Sequence, residues 1–235
     1  MKVLALLSGG KDSVAAVEVA QGFGWEIVAG LALHPAEDDA WMFHTPNLHA
    51  VRGVAQCLGI PLLEAPVRTG QAQEVEDLET ALAQAKASLG LDGIVSGALA
   101  SEYQRVRLDE VCHRLGLASF APLWHKDPRT YIDGLLSGGY RVVFSRCAAE
   151  GVPNAWAGGA LGQQQVQAMA DHPARPHVAG EGGEYETLVL DAPHFLRRLV
   201  LDRIRIEATA SRATMVVEAF HTEPKPTPGA AAVAP

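Results

Sequence analysis

The first half of the chain alternates short apolar segments with helix-forming segments, and this alternation constrains the fold more than any other feature. Apolar runs of strand length occupy residues 3–7, 25–33, 61–65 and 93–95. Helix-forming stretches follow them at residues 14–20, 49–58, 74–89 and 102–115. Strands and helices in this order form parallel βαβ units. We therefore expect an α/β fold with a doubly wound, Rossmann-like parallel sheet that helices cover on both faces.

The second half has a different order of elements. A loop is predicted at residues 122–128, helices at 129–136 and 158–169, and strands at 140–145, 185–190, 199–207 and 213–219. This order is of α+β type. We therefore expect an N-terminal domain over residues 1–125 and a smaller C-terminal α+β domain over residues 126–221. The remaining residues, 222–235, are rich in Pro and Ala and predict a disordered tail.

The first predicted strand runs directly into Ser-Gly-Gly-Lys-Asp-Ser at residues 8–13, and a helix follows at once. Adjacent glycines let backbone N–H groups approach an anion, and a helix N-terminus adds unpaired donors and a positive dipole. Lys11 adds a mobile positive charge. The loop is not a Walker A motif, in which the two glycines are not adjacent. It predicts a site for ATP phosphates; the alternative is a tight turn with a solvated lysine.

Two more segments lie in loops after predicted elements, where ligands of parallel sheets bind. Residues 42–47 contain His44, which is a better catalytic candidate than His34, although a histidine in a loop is more often a hydrogen-bonding residue. Residues 124–127 begin with Trp124, which can contact a substrate. The alternative for this second loop is an ordinary hinge with a surface aromatic side chain.

The turn after the fourth predicted strand combines a glycine, a helix cap and basic residues. Gly97 allows a ribose or phosphate to approach the backbone, and Arg105 or Arg107 can meet an ATP phosphate. Ser101 can cap the following helix, with Gln104 reaching back as in a capping box. The alternative is that the cap is the only role of this segment.

An acidic, glycine-rich segment at residues 180–193 precedes and enters an apolar strand. Its three glutamates are Glu181, Glu184 and Glu186, and Tyr185 lies between the last two. Three carboxylates are too costly to bury without partners, so the segment is either a solvated turn or a site for a cation. Composition alone favours the solvated turn.

Composition excludes several classes of protein. The 235 residues carry 19 Lys and Arg against 27 Asp and Glu, a net charge of −8, and no run of basic residues, so we expect no nucleic-acid partner. Without a signal segment or an apolar run long enough to span a bilayer, we expect a cytoplasmic protein that does not contact membranes. Three widely spaced cysteines indicate neither disulfides nor a zinc site.

Five segments together carry a resemblance to a known family. Residues 8–13, 42–47, 96–105, 122–127 and 180–193 resemble, in this order, the diphthine–ammonia ligase family of PP-loop N-type ATP pyrophosphatases. The similarity extends over roughly residues 1–220, and the acidic segment narrows the PP-loop superfamily to this family. The resemblance implies the PP-loop, or HUP, type of parallel sheet, and ATP and Mg²⁺ as cofactors. It implies adenylation of the diphthine carboxylate on translation elongation factor 2, followed by displacement of AMP by ammonia.

The resemblance also implies roles for individual residues. The ATP-binding residues would be Ser8, Gly9, Gly10, Lys11, Asp12, Ser13, Gly97 and Arg105. Asp12 would place the metal, Lys11 and Asp12 would act in catalysis, and His44 or Glu184 would serve as the base for ammonia. The substrate-binding residues would be Ser101, Gln104, Trp124, Glu181, Glu184, Tyr185 and Glu186. The trimethylammonium group of diphthine suggests that the glutamates and an aromatic ring form a pocket for this cation.

Three other functions remain open at this point. One is a PP-loop ligase or adenine nucleotide hydrolase that acts on a different carboxylate, which a bacterial source would favour. Another is a non-catalytic protein that binds ATP or AMP, although retention of Lys11, Asp12 and both serines argues against it. A tRNA-thiolating enzyme is disfavoured by the net charge and the absence of paired cysteines. The sequence leaves the oligomeric state open, a homodimer included.

Overall fold

The computed structural model describes residues 1–35 and 47–225, and the N-terminal part of these forms a five-stranded parallel sheet. Its strands have the order β3-β2-β1-β4-β5. The elements are β1 (Lys2–Leu6), α1 (Lys11–Gly22), β2 (Glu26–Pro35), α2 (Leu48–Leu58), β3 (Leu62–Val67), α3 (Gln71–Leu89), β4 (Gly93–Val95), α4 (Glu102–Leu115) and β5 (Ala118–Phe120). The predicted doubly wound α/β fold is confirmed.

Alternating side chains of the central strands explain why both faces of this sheet are covered. On β1, Val3 and Ala5 pack in one apolar cluster with residues of α1 and α2. Leu4, on the opposite face, packs in a second cluster with residues of α3 and α4. All three side chains are buried, which accounts for a strand without polar alternation. Because β1 and β4 are parallel neighbours, their carboxyl ends lie at the same edge of the sheet.

The C-terminal part forms a four-stranded antiparallel sheet of order β7-β6-β9-β8. Its elements are α5 (Pro128–Ser137), β6 (Arg141–Cys147), a 3₁₀ turn (Asn154–Trp156), α6 (Gln163–Asp171), β7 (Tyr185–Asp191), β8 (Arg197–Ala208) and β9 (Ala213–Pro224). The predicted smaller α+β unit is confirmed by this sheet and its two helices.

The two sheets share one apolar core. The cluster that contains Val14 of α1 also contains Leu188 of β7 and Met215 of β9. Backbone hydrogen bonding joins the halves too, because Val189 N donates to Gly9 O at 2.9 Å. The first sheet ends at Phe120 and the second begins with β6, so a domain boundary near residue 125 stays a prediction.

The structure differs from the predicted order of elements in several places. β5 was not predicted, because its Ala-Ser-Phe sequence is too short to carry a strand pattern. The helix predicted from residue 158 begins only at Gln163, since Gly158 has a φ of +81° and Gly162 is the N-cap. Residues 222–224, predicted as the start of the tail, belong to β9, which continues to Pro224. Residues 226–235 lie outside the described part of the chain.

The three cysteines are small buried side chains. Cys57, Cys112 and Cys147 are free and buried. Burial raises the pKa of each thiol, to about 12, 12 and 11 respectively, so these thiols are protonated near neutral pH. Among residues 1–35 and 47–225, no helix has the length and apolar character of a membrane span.

Candidate active site

The loop between β1 and α1 has the conformation of an anion cradle. Gly9 has a φ of +78°, which a residue with a Cβ rarely adopts. Ser8 N and Ser8 Oγ donate to Ser13 Oγ at 3.3 and 3.2 Å, and Gly10 N donates to Ser8 Oγ at 3.3 Å. These bonds hold the loop around the first turn of α1. Helix N-termini at such loops bind phosphate groups.

Lys11 is buried beneath the loop rather than mobile in solvent. Only 3% of the residue is exposed, and Nζ donates to Ala179 O at 2.6 Å and Asp12 Oδ2 at 2.9 Å. Nζ also lies 5.2 Å from the centre of the Tyr185 ring. Burial is the largest single effect and lowers the pKa of this ammonium, but Asp12, Tyr185 and Glu181 together outweigh burial and raise the pKa above its ordinary value. Lys11 is therefore a fixed positive charge.

Asp12 is held from two sides. Its Oδ2 accepts from Lys11, and its Oδ1 accepts from the Tyr131 hydroxyl at 2.8 Å. About a quarter of the side chain, 26%, remains exposed. Burial and the Asp12 charge raise the pKa of Tyr131, so the phenol stays a donor. Tyr131 carries no sequence motif and lies 119 residues away, so sequence reasoning missed it.

A cavity of about 460 Å³ opens beside the loop and brings together most of the predicted site residues. Its polar wall contains Ser8, Asp12, Ser13, Gly97, Ser101, Gln104, Glu181, Tyr185 and Glu186. Its apolar wall includes Leu31, Leu33 and Leu48, which sequence reasoning did not select. The cavity thus brings the loop at residues 8–13 next to an apolar surface, a combination typical of ligand sites.

Gly97 packs against α1. A Cβ atom at this position would lie 2.5 Å from the carbonyl carbon of Asp12 and 2.6 Å from Ser13 N. The glycine therefore allows the loop after β4 to touch the first turn of α1. Ser101 is the N-cap of α4, where its Oγ accepts from Gln104 N at 3.4 Å, and both residues also line the cavity.

Arg105 and Trp124 contact each other and do not line the cavity. The Arg105 guanidinium lies 4.6 Å from the centre of the Trp124 ring. Arg105 Nε also donates to Asp109 at 3.3 Å. One face of this tryptophan is therefore covered by a cation of the chain itself.

Two of the three glutamates of the acidic segment are tied to the backbone. Glu181 Oε2 accepts from Ala100 N at 2.9 Å. Glu184 accepts from His177 N at 3.1 Å and Gly182 N at 2.8 Å, and it does not line the cavity. Burial and then the Asp12 charge raise the pKa of the Glu181 carboxyl.

Glu186 has a different environment. Its nearest cation is Arg146, with Nη1 at 3.8 Å from Oε1, and 23% of the Glu186 side chain is exposed. Burial raises the pKa of this carboxyl to about 7, and the charges of Arg146 and Lys11 offset only part of that effect. Tyr185, by contrast, is 2% exposed and donates from its hydroxyl to Val178 O at 2.6 Å.

The two histidine candidates have different outcomes. His44 lies outside the described residues, as does all of the 42–47 segment except Asn47. His34 Nε2 lies 2.9 Å from Glu64 and does not line the cavity. Among residues 1–35 and 47–225, no three His, Cys, Asp or Glu side chains converge as a metal site.

Comparison with known proteins assigns both halves of the chain to one family. Residues 1–119 match the Diphthamide synthase N-terminal domain, and residues 127–221 match the Diphthamide synthase C-terminal domain. A diphthine–ammonia ligase of Danio rerio is 33% identical over 221 residues, covering 86% of this chain and 87% of that protein. The Homo sapiens diphthine–ammonia ligase is also 33% identical, covering 86% of this chain and 83% of that protein.

A solved structure is also similar in outline. It is described as a predicted subunit of a tRNA methyltransferase from Methanocaldococcus jannaschii. The superposition has a TM-score of 0.40 at 13% identity and covers 82% of this chain and 98% of the other.

Proposed function

Because the chain belongs to the diphthamide synthase family, we propose that it catalyses the ATP-dependent amidation of diphthine by ammonia. The diphthine carboxylate attacks the α-phosphorus of ATP, which gives an acyl adenylate and pyrophosphate. Ammonia then attacks the acyl carbon, and AMP leaves. The observation that supports this proposal most directly is that residues of the loop at 8–13 line the same cavity as Glu181 and Glu186 of the acidic segment.

The phosphate loop is suited to hold the triphosphate of ATP. Ser8, Asp12 and Ser13 line the cavity at the N-terminus of α1, and the Ser8 and Ser13 hydroxyls lie within 3.2 Å of each other. Lys11 supplies a fixed positive charge behind the loop, which stabilises the negative charge of departing pyrophosphate. Leu31 and Leu33 offer an apolar wall for adenine.

The residues present fit a Mg²⁺ ion that accompanies ATP. Mg²⁺ is usually held by one or two carboxylates, with substrate phosphates and water completing its shell. Asp12 lines the cavity and is partly exposed, so it can supply such a carboxylate. When bound, the ion would neutralise charge on the phosphates.

The acceptor we propose is diphthine on translation elongation factor 2, which would place the reaction in the cytoplasm. Its trimethylammonium group would lie against Glu181, whose carboxylate lines the cavity beside Gly182 and Gly183. Glu184 and Trp124 have less support as parts of this pocket. The Glu184 carboxylate is bonded to backbone amides, and the Trp124 ring contacts Arg105.

Pyrophosphate release from ATP and ammonium, with and without diphthine-bearing elongation factor 2, tests the function. We expect AMP, pyrophosphate and amidated factor in equal amounts, and only when the factor is present. Lys11→Met should reduce the rate by about 100-fold or more, because the fixed charge is lost. Lys2→Met, at an exposed lysine, is the matched control and should leave the rate unchanged. Turnover at the same rate without the factor would indicate a different acceptor. No turnover under any condition would indicate a non-catalytic nucleotide-binding protein.

A further inference from the structure

The three glutamates of the acidic segment differ in what their carboxylates are bonded to. Glu181 and Glu184 each accept at least one backbone N–H group. Within residues 1–35 and 47–225, the Glu186 carboxylate accepts no such bond, and its nearest cation, Arg146, is 3.8 Å away, beyond hydrogen-bond distance. Glu186 also lines the cavity that contains the phosphate loop. Its carboxylate is therefore the one of the three that is free to accept a proton from a ligand.

The amidation step requires such an acceptor. Near neutral pH the nitrogen source is mostly ammonium, which has no lone pair and cannot attack an acyl carbon. A general base is most effective when its pKa is close to the working pH. The Glu186 carboxyl meets this condition because burial raises its pKa to about 7.

The charged groups around Glu186 are consistent with proton exchange. Arg146 faces it from β6 and Lys11 from α1, and both charges favour the ionised carboxylate. Asp12 and Glu181 line the same cavity and favour the entry of a small cation. Among the carboxylates of residues 1–35 and 47–225 that line this cavity, only that of Glu186 has no hydrogen-bond donor, so an entering ammonium ion can donate to it.

We propose that Glu186 binds the ammonium ion and takes its proton, so that ammonia is released beside the acyl adenylate; this proposal rests on the amidation function proposed above. Ammonium transfers one proton to the carboxylate and becomes ammonia. The ammonia lone pair forms the C–N bond, and the C–O bond to AMP breaks with its electron pair on AMP. The second nitrogen proton moves to the AMP phosphate, and Glu186 later returns its proton to water.

Replacement of Glu186 by Gln, with two different nucleophiles, tests the proposal. Hydroxylamine is largely neutral near pH 7 and needs no prior deprotonation. We expect Glu186→Gln to reduce ammonium-dependent amide formation by about 100-fold or more, while hydroxylamine-dependent hydroxamate formation stays close to wild type. The ammonium defect should shrink as the pH rises towards the pKa of ammonium. Glu110→Gln, at an exposed glutamate of α4, is the matched control.

The other outcomes contradict the proposal and remain separable from failure of the function. Equal losses with both nucleophiles would assign Glu186 to adenylation or to folding, and ATP–pyrophosphate exchange with the diphthine-bearing factor would distinguish these two. Unchanged activity with ammonium would exclude Glu186 as the base. If the wild-type chain forms no product from either nucleophile, the proposed function fails before the role of Glu186 arises.

Discussion

At the scale of single residues, Tyr131 shows how a remote side chain can orient a predicted site residue. Its hydroxyl donates to Asp12 Oδ1 at 2.8 Å. We expect Tyr131→Phe to lower the free energy of unfolding by about 1.5–3 kcal/mol, the loss of one hydrogen bond to a charged group. The rate of ATP–pyrophosphate exchange should fall about tenfold, because Asp12 loses an orienting partner.

A second tyrosine provides the control for Tyr131. Tyr140 donates from its hydroxyl to Glu18 Oε2 at 2.6 Å, and neither residue lines the cavity beside residues 8–13. Tyr140→Phe should lower stability by a similar amount and leave the exchange rate unchanged. Urea unfolding and exchange assays on both variants measure the difference. Equal exchange rates in the two variants would show that the bond to Asp12 has no functional role.

The raised pKa of Glu186 predicts a pH-dependent stability with a definite sign. The carboxyl titrates at 4.5 when unperturbed and at about 7 in the folded chain, so the folded state binds the proton more tightly. Its contribution to stability is present below pH 4.5 and is lost as the pH rises through about 7. Relative to Glu186→Gln, the wild-type chain should therefore lose about 2–3 kcal/mol across this window.

Denaturant unfolding of both proteins at a series of pH values measures this difference. Glu218 supplies a control of opposite sign, because hydrogen bonds from Arg205 and Arg203 lower the pKa of its carboxyl. Relative to Glu218→Gln, the wild-type chain should lose stability as the pH falls, not as it rises. A flat difference between the wild-type chain and Glu186→Gln from pH 4.5 to 7 would contradict the raised pKa.

Sequence reasoning selected the residues of the site better than it described their environments. The loop at residues 8–13 and the acidic segment were recognisable because their glycines and charges are consecutive in the chain. The burial of Lys11 and the bonding of Glu184 depend on Ala179 and Gly182, whose positions follow from packing. Such contacts have no pattern in the sequence, yet they determine which carboxylate of the acidic segment has no hydrogen-bond donor.

At the scale of elements, Gly97 sets how closely the loop after β4 approaches α1. We expect Gly97→Ala to lower the free energy of unfolding by at least about 1–3 kcal/mol, because the added Cβ meets backbone atoms 2.5–2.8 Å away. ATP affinity should fall with it, since the first turn of α1 must shift. Thermal unfolding and nucleotide titration measure the two effects.

Gly134 is the matched control for Gly97. It lies inside α5, and a Cβ atom there would meet nothing within 4 Å. Gly134→Ala should raise stability by about 0.5–1 kcal/mol, as expected for a glycine in a helix interior. Destabilisation by both variants would mean that close approach is not the cause at Gly97.

Elements with strong local signals were predictable from the sequence. α4 was predicted with its observed bounds because Ser101 caps one end and Gly116, with a φ of +61°, follows the other. β5 was not predictable, since a three-residue strand is stabilised by its pairing with β4 rather than by its own pattern. Capping residues therefore determine where a long helix such as α4 begins and ends, whereas pairing with a neighbouring strand determines whether a short strand such as β5 forms.

At the scale of the whole molecule, Asn47, the N-cap of α2, joins the two sheets. β9 pairs with β6 only through Ala213 and Thr214. Beyond these residues Asn47 takes the place of a neighbouring strand: its Nδ2 donates to Met215 O at 2.7 Å, and its Oδ1 accepts from Val217 N at 2.8 Å. This arrangement was not predictable from sequence, because it joins residues about 170 positions apart.

Asn47 should therefore contribute strongly to the stability of both halves together. We expect Asn47→Ala to lower the free energy of unfolding by about 2–5 kcal/mol, because two buried backbone groups of β9 lose their partner. Asn47→Asp should be destabilised at least as much, since a carboxylate accepts from Val217 N but repels Met215 O.

Asn154→Ala is the control: it removes one exposed hydrogen bond to Thr209 O and should change the free energy of unfolding by less than about 0.5 kcal/mol. Urea unfolding followed by circular dichroism should show one transition in each variant, at a lower midpoint for the Asn47 variants. A separate early transition of the C-terminal sheet would contradict a core shared by the two halves.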